Sequence, residues 1–185
     1  MTTNADPGGT PAAAPRLVPR ALDHPDARDL IAGAQQVYVD RYGQPDHTPI
    51  RPDEFTGSSG HFLIGYRDGL PVVCGGWRAV DDPPPELMPG DAEMKRVYVP
   101  EYARGRGYAR LVVTAVERSA LAHGRSRMVL ETGIAQPEAI GLYTSMGYEP
   151  IPAFGEHRNE PASRCFAKPL PSSSIPRAVP CPAQG

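Results

Sequence analysis

The chain has little cysteine, few aromatic residues and no long apolar run. Its three cysteines among 185 residues, Cys74, Cys165 and Cys181, are odd in number and widely spaced. That excludes a disulfide framework and a metal knuckle, and it points to a reducing, cytoplasmic setting. No stretch is apolar enough to cross a bilayer, so no membrane partner is expected. The N-terminus is acidic and proline-rich, where a secretory leader would be basic and then apolar. Basic runs are missing too: the formal net charge is −2, and Arg104, Arg106 and Arg110 form only a local cluster. A nucleic-acid partner is therefore not expected. His61 and the pair Asp46-His47 could line a groove, but they lack ligand spacing, so no metal is assigned.

Proline, by contrast, is abundant at 23 residues, many of them near the two ends. Residues 1–15 and 171–185 have almost no apolar anchors and read as disordered tails. Residues 16–170 then form one domain long enough to bury a core. A short strand at 17–21 precedes an acidic helix start at Asp26 and Asp29, with a pattern through Leu30, Ala34, Val37, Tyr38 and Arg41. Residues 43–59 read as a polar loop. Strands at 61–67 and 71–79 flank Asp68-Gly69, a hairpin signal.

A strand at 91–99 leads to a helix at 107–123. On that helix Leu111, Val112, Ala115, Val116, Ser119 and Ala120 face inward, and Arg110, Thr114, Glu117 and Arg118 mostly outward. Gly124 ends it. A strand at 128–132, a helix at 136–146 and a strand pair at 148–151 and 164–168 complete the chain. An antiparallel hairpin followed by a strand–helix–strand crossover is a mixed α/β order.

The chemistry concentrates in Arg104-Gly105-Arg106-Gly107-Tyr108-Ala109, between a strand and a long helix. Glycines let the backbone approach an anion closely, and the unpaired amides of the first helical turn converge on it. The spacing lacks the third glycine of a dinucleotide loop and the Gly-Lys-Ser/Thr of a triphosphate loop. On residues alone, a plain turn with solvated arginines fits as well.

Three further segments carry a resemblance. Glu93-Met94-Lys95-Arg96-Val97-Tyr98-Val99, the loop at 104–109, Leu130-Glu131-Thr132-Gly133 and Leu142-Tyr143-Thr144-Ser145-Met146-Gly147-Tyr148 together resemble the GNAT N-acetyltransferase family. The likeness covers most of residues 60–170. It implies a three-layer fold with a mostly antiparallel central sheet, splayed parallel fourth and fifth strands, and flanking helices. It also implies acetyl-coenzyme A as the acetyl donor and an amine, on a small molecule or a protein, as the acceptor. A homodimer is open, since many relatives pair.

The resemblance places coenzyme A's pyrophosphate on amides between Arg104 and Ala109. It lays the pantetheine arm beside Val97, Tyr98 and Val99, and brings Gln136 to it. Tyr143 takes the position of the general acid toward the coenzyme sulfur, although a tyrosine closing the helix on the sheet would look the same. For the base, Glu93 leads, alternating with Lys95, Val97 and Val99 if no bulge intervenes. Glu131 and a water chain are the competitors. Asp40, Asp46, Asp53, Glu54, Asp81 and Asp82 favour a cationic acceptor if several face the groove. A coenzyme A-binding sensor without turnover is the alternative class.

Overall fold

The computed structural model describes residues 14–171. The expected tails therefore lie almost wholly outside the described residues. The elements are β1 (Arg16–Pro19), α1 (Pro25–Tyr42), β2 (Gly60–Arg67), β3 (Leu70–Val80), β4 (Asp91–Tyr98), α2 (Tyr108–Ala122), β5 (Arg127–Gly133), α3 (Pro137–Ser145), β6 (Glu149–Ile151) and β7 (Ser163–Pro169). One seven-stranded sheet runs β1-β2-β3-β4-β5-β7-β6. Every neighbouring pair is antiparallel except β4 and β5. The first strand starts and stops earlier than expected, because Arg16 to Pro19 pair with Tyr66 to Leu63 of β2.

Local chemistry sets the boundaries. Pro25 opens α1, the His24 ring accepts a hydrogen bond from the Asp26 amide, and Gly43 closes the helix in the left-handed region. Asp68 and Gly69 both take positive φ, as a two-residue hairpin turn between β2 and β3 requires.

Helices cover both faces of the sheet. On one face, Val112, Val113 and Val116 of α2 are wholly buried against a cluster that includes Trp77, Met94, Met128 and Leu130. Each such side chain contributes about 1.5–3 kcal/mol by leaving water. On the other face, Ala27 and Leu30 of α1 pack on Phe62, Ile64 and Cys74. Cys74 is a core residue, as expected, and burial pushes its thiol up to about 12. Glu117 departs from the outward assignment. It is buried, and both its oxygens accept from Lys168 Nζ at 2.9 Å. Helical periodicity could not show this, because the partner lies 51 residues away on β7.

The middle of the sheet positions the site. β4 and β5 share only three residue pairs, Asp91 with Arg127, Ala92 with Met128 and Glu93 with Val129, and then diverge. On its other side β4 slips against β3: Gly76 faces Lys95 while Cys74 faces Tyr98. The extra residue is accommodated around Arg96, whose φ of 57° is left-handed. This is a bulge, so the simple alternation from Glu93 through Lys95 to Val97 and Val99 fails beyond Lys95.

Candidate active site

The divergence of β4 and β5 opens a cleft of about 1120 Å³, counted with its open mouth. Met94 to Tyr98 line one side and Glu131 to Gly133 the other. Gln136 and Tyr143 close it from α3, while Tyr38 and Tyr42 close it from α1. Gly33 lets α1 come this close, since a β-carbon there would sit 2.8 Å from the Tyr98 hydroxyl oxygen.

Two of the expected reactive groups line this cleft. Tyr143 is buried, its ring set edge-on to Tyr148 at 5.5 Å between centroids. Burial, reinforced by nearby Tyr38, raises its phenol well above the usual range. Glu131 also lines the cleft, with Oε1 accepting from Ser163 Oγ at 2.7 Å. Burial raises its carboxyl, and the Ser163 hydrogen bond and Lys95 offset that only in part.

Glu93 is placed differently. It is absent from the cleft wall, and its two oxygens are taken by Arg78 Nε at 2.8 Å and Lys95 Nζ at 2.6 Å. Burial pushes its carboxyl up, but Lys95 and then Arg78 outweigh burial and hold it below the usual range. A depressed, doubly paired carboxylate is a poor proton acceptor near neutrality.

The glycine loop has the conformation expected of it. Gly105 and Gly107 have φ of 73° and 76°, and a β-carbon built on either meets nothing within 4 Å. Gly107 precedes α2 without a side-chain cap, and the first helical bond runs from the Leu111 amide to the Gly107 carbonyl. The amides of Tyr108, Ala109 and Arg110 therefore have no partner within the helix. Both arginines are exposed and fold back onto the loop's own carbonyls. Arg104 Nε donates to the Val99 carbonyl at 3.2 Å, and Arg106 Nη1 to the Tyr102 carbonyl at 2.7 Å. They brace the turn, which leaves the main-chain amides as the groups open to a ligand. The Tyr108 side chain turns inward and accepts from Arg67 Nη1 at 2.8 Å. Val97 and Tyr98 line the cleft, and Val99 lies just beyond the end of β4.

Gln136 caps α3, and its Nε2 is buried without a partner. The Tyr42 hydroxyl and Arg96 Nε are in the same condition, and all three residues line this cleft. Unmatched donors around one cavity mark places where a ligand's oxygens fit. Those of Gln136 and Tyr42 suit the carbonyl-rich arm of a coenzyme A thioester, as do the open main-chain edges of β4 and β5.

The loop before β2 and the loop before β7 close the far end. Arg96 pairs with Asp46 and donates to the Thr48 carbonyl at 3.2 Å. His157 lies 3.4 Å from Asp46 Oδ1 and 2.9 Å from Glu160 Oε1. Burial lowers the His157 value, but Glu160 and Asp46 together raise it above the usual one. Of the six acidic residues expected at the acceptor groove, only Asp46 lines the cleft. Glu54 pairs with Arg78, Asp81 with Arg125, and Asp53 with Arg51. His61 is elsewhere, 2.9 Å from Ser119 Oγ and beside the ring of His123. Tyr38, Tyr42, Arg96 and His157 were not singled out from sequence. The four-residue spacing of Tyr38 and Tyr42 was a readable signal, whereas His157 lies in a loop that carried none.

A sheet parted at a parallel pair, with a glycine loop at the end of the parting strand, has the form of the coenzyme A-dependent acyltransferase fold. The Acetyltransferase (GNAT) family model matches residues 27–148, more than half of the chain, and the chain belongs to that family. It is 36% identical over 109 residues to the IAA acetyltransferase of Azospirillum brasilense, covering 59% of this chain and 67% of the relative. Against the "Probable N-acetyltransferase family 8 member 5" of Mus musculus it is 32% identical over 128 residues, covering 69% of this chain and 55% of the relative. The crystal structure of a "putative acyl-CoA N-acyltransferase" from Klebsiella pneumoniae superposes with a TM-score of 0.69 at 28% identity, covering 86% of this chain and 99% of that one.

Proposed function

We propose that this enzyme transfers an acetyl group from acetyl-coenzyme A directly to the amine of a small molecule, with Glu131 as base and Tyr143 as acid. The observation that supports the assignment is that Glu131 and Tyr143 both line the cleft between β4 and β5, while Glu93 is committed to two cations. The pyrophosphate rests on the amides of Tyr108 to Arg110 and on the open backbone at Gly105 and Gly107. The pantetheine arm lies along Val97 and Tyr98, with Gln136 Nε2 donating to one of its carbonyls.

The amine nitrogen attacks the thioester carbon, forming the new C–N bond as the C–S bond breaks. Glu131 takes the amine's proton, directly or through a water, and later releases it to solvent. Main-chain N–H groups at the bulge polarise the carbonyl. Tyr143, kept as a phenol by burial, donates to the departing sulfur. Coenzyme A leaves as the thiol, and solvent restores the tyrosine's proton. A cytoplasmic setting suits the buried, unpaired thiols of Cys74 and Cys165.

The test is a thiol-release assay with acetyl-coenzyme A over a diverse amine panel, paired with calorimetry of donor binding. Amine-dependent release is the expected result. Tight binding of the donor with no release from any amine would instead support a coenzyme A sensor.

A further inference from the structure

The acceptor face of the sheet carries a row of charge that the transfer chemistry does not use. Arg78 Nη1 lies 3.2 Å from Glu54, Arg78 Nε 2.8 Å from Glu93, and Glu93 Oε1 2.6 Å from Lys95 Nζ. Each inner charge is matched on both sides, and Lys95 is the terminal member. Its side chain is only 8% exposed, and it lines the cleft. Glu93 faces Val129 across the parallel pair, so two residues further on Lys95 stands across the gap from Glu131, on the same face. Arg96 adds a second cation, 4% exposed, whose Nε–H has no partner.

Every charge at this end has a partner, but Lys95 has only Glu93, which it shares with Arg78. Asp46 is taken by Arg96, and Glu160 faces His157. Glu131 is the remaining acid of the wall. An acceptor that is only a cation would add a further donor beside the spare N–H groups of Lys95 and Arg96 and bring them no hydrogen-bond acceptor. An acceptor carrying its own carboxylate a few bonds from the amine supplies that missing group. Its amine lies toward Glu131, and its carboxylate toward Lys95 and the Arg96 Nε–H.

We infer that the acceptor is a free amino carboxylate, an α-amino acid or close analogue, and that Lys95 is the specificity-determining residue that reads its carboxylate. This rests on the transferase reading and leaves its bond changes as stated. Glu93 acts here as a positioning residue, holding the Lys95 ammonium at the edge of the cleft. Polyamines and protein lysines are disfavoured, because they present no carboxylate beside the amine.

The test uses the full chain, saturating acetyl-coenzyme A and matched acceptors in three forms. These are the free amino acids, their carboxamides, and the decarboxylated amines such as tyramine, histamine and putrescine. The expected result is kcat/KM at least about 10-fold higher for an acid than for its amide, the scale of one charge-assisted contact. Lys95→Met should abolish that ratio and Lys95→Arg should keep most of it. Because the ratio is taken within each variant, loss of folded protein does not alter it. Amides or plain amines turned over as well as the acids would overturn the proposal while leaving the transferase reading intact. So would a Lys95→Met enzyme that still prefers acids. Donor binding without thiol release from any class would remove both.

Discussion

Replacing Arg96 by methionine should unfold the far end of the cleft before it affects donor binding. Arg96 and Asp46 are 4% and 11% exposed, so the pair is essentially out of water. Removing one partner of such a pair strands the other, at a cost of about 3–5 kcal/mol. For a domain of this size that corresponds to a fall of roughly 6–20 °C in Tm. The cost lies in the stranded Asp46 carboxylate, so Arg96→Met with Asp46→Asn should recover a large part of it. Asparagine keeps the oxygen that accepts from the Thr48 amide at 2.8 Å.

Acid gives a second readout of the same pair. Burial works against the Asp46 carboxylate, but Arg96, with Thr48, holds it well below the usual range. A depressed carboxyl stabilises the fold above its unfolded value of about 4, and that contribution is lost as pH falls toward the folded value. The gap between wild type and Arg96→Met should therefore narrow steadily below about pH 4. Urea denaturation of the four proteins of the cycle, at pH 7 and pH 3, measures both effects. Strict additivity of the two single substitutions, or a cost below about 1 kcal/mol for Arg96→Met, would refute the reasoning.

Four other outcomes are expected. Glu131→Gln should lower kcat/KM by about 10²–10⁴-fold and erase an acid limb whose midpoint lies above the ordinary glutamate value. Glu93→Gln should keep that limb, and its loss there would return the base to Glu93. Tyr143→Phe should lower kcat by roughly 10–100-fold, the value of one hydrogen bond to developing charge, with donor affinity unchanged by calorimetry. Gly107→Glu forces a side chain into the left-handed region, at about 1–2 kcal/mol, and sets a carboxylate over the anion site. Calorimetry should find no acetyl-coenzyme A binding, and unchanged affinity would relocate the pyrophosphate.

Much of the fold was legible because its punctuation is local. Asp68-Gly69, the Pro25 start of α1 and Gly124 after α2 each carry their geometry in one or two residues. The glycine loop was legible for the same reason. What stayed hidden depends on residues distant in sequence. Glu117 reads as a surface residue until Lys168 arrives from β7. The bulge at Arg96 has no glycine to announce it, since a buried pair with Asp46 holds a left-handed arginine in place. Glu93 reads as a base in a strand pattern, and only the approach of Arg78 and Lys95 shows that its charge is committed. The acidic stretches suggested a cationic acceptor, but three of their six carboxylates turn to arginines outside the cleft.

The narrow join between β4 and β5 reaches beyond catalysis. Asp91, wholly buried, accepts from Arg127 Nε at 2.8 Å and from Nη2 at 2.6 Å, pinning the closed end of the gap. Beyond three residue pairs nothing links the halves through the sheet, so it behaves as two rafts on a short seam. A donor held in the gap, as proposed above, would bond to both rafts at once and stabilise the folded state by mass action. Heat and protease should therefore act fastest on the empty enzyme. In a cell whose acetyl-donor pool runs down, the amount of this protein would fall together with its rate.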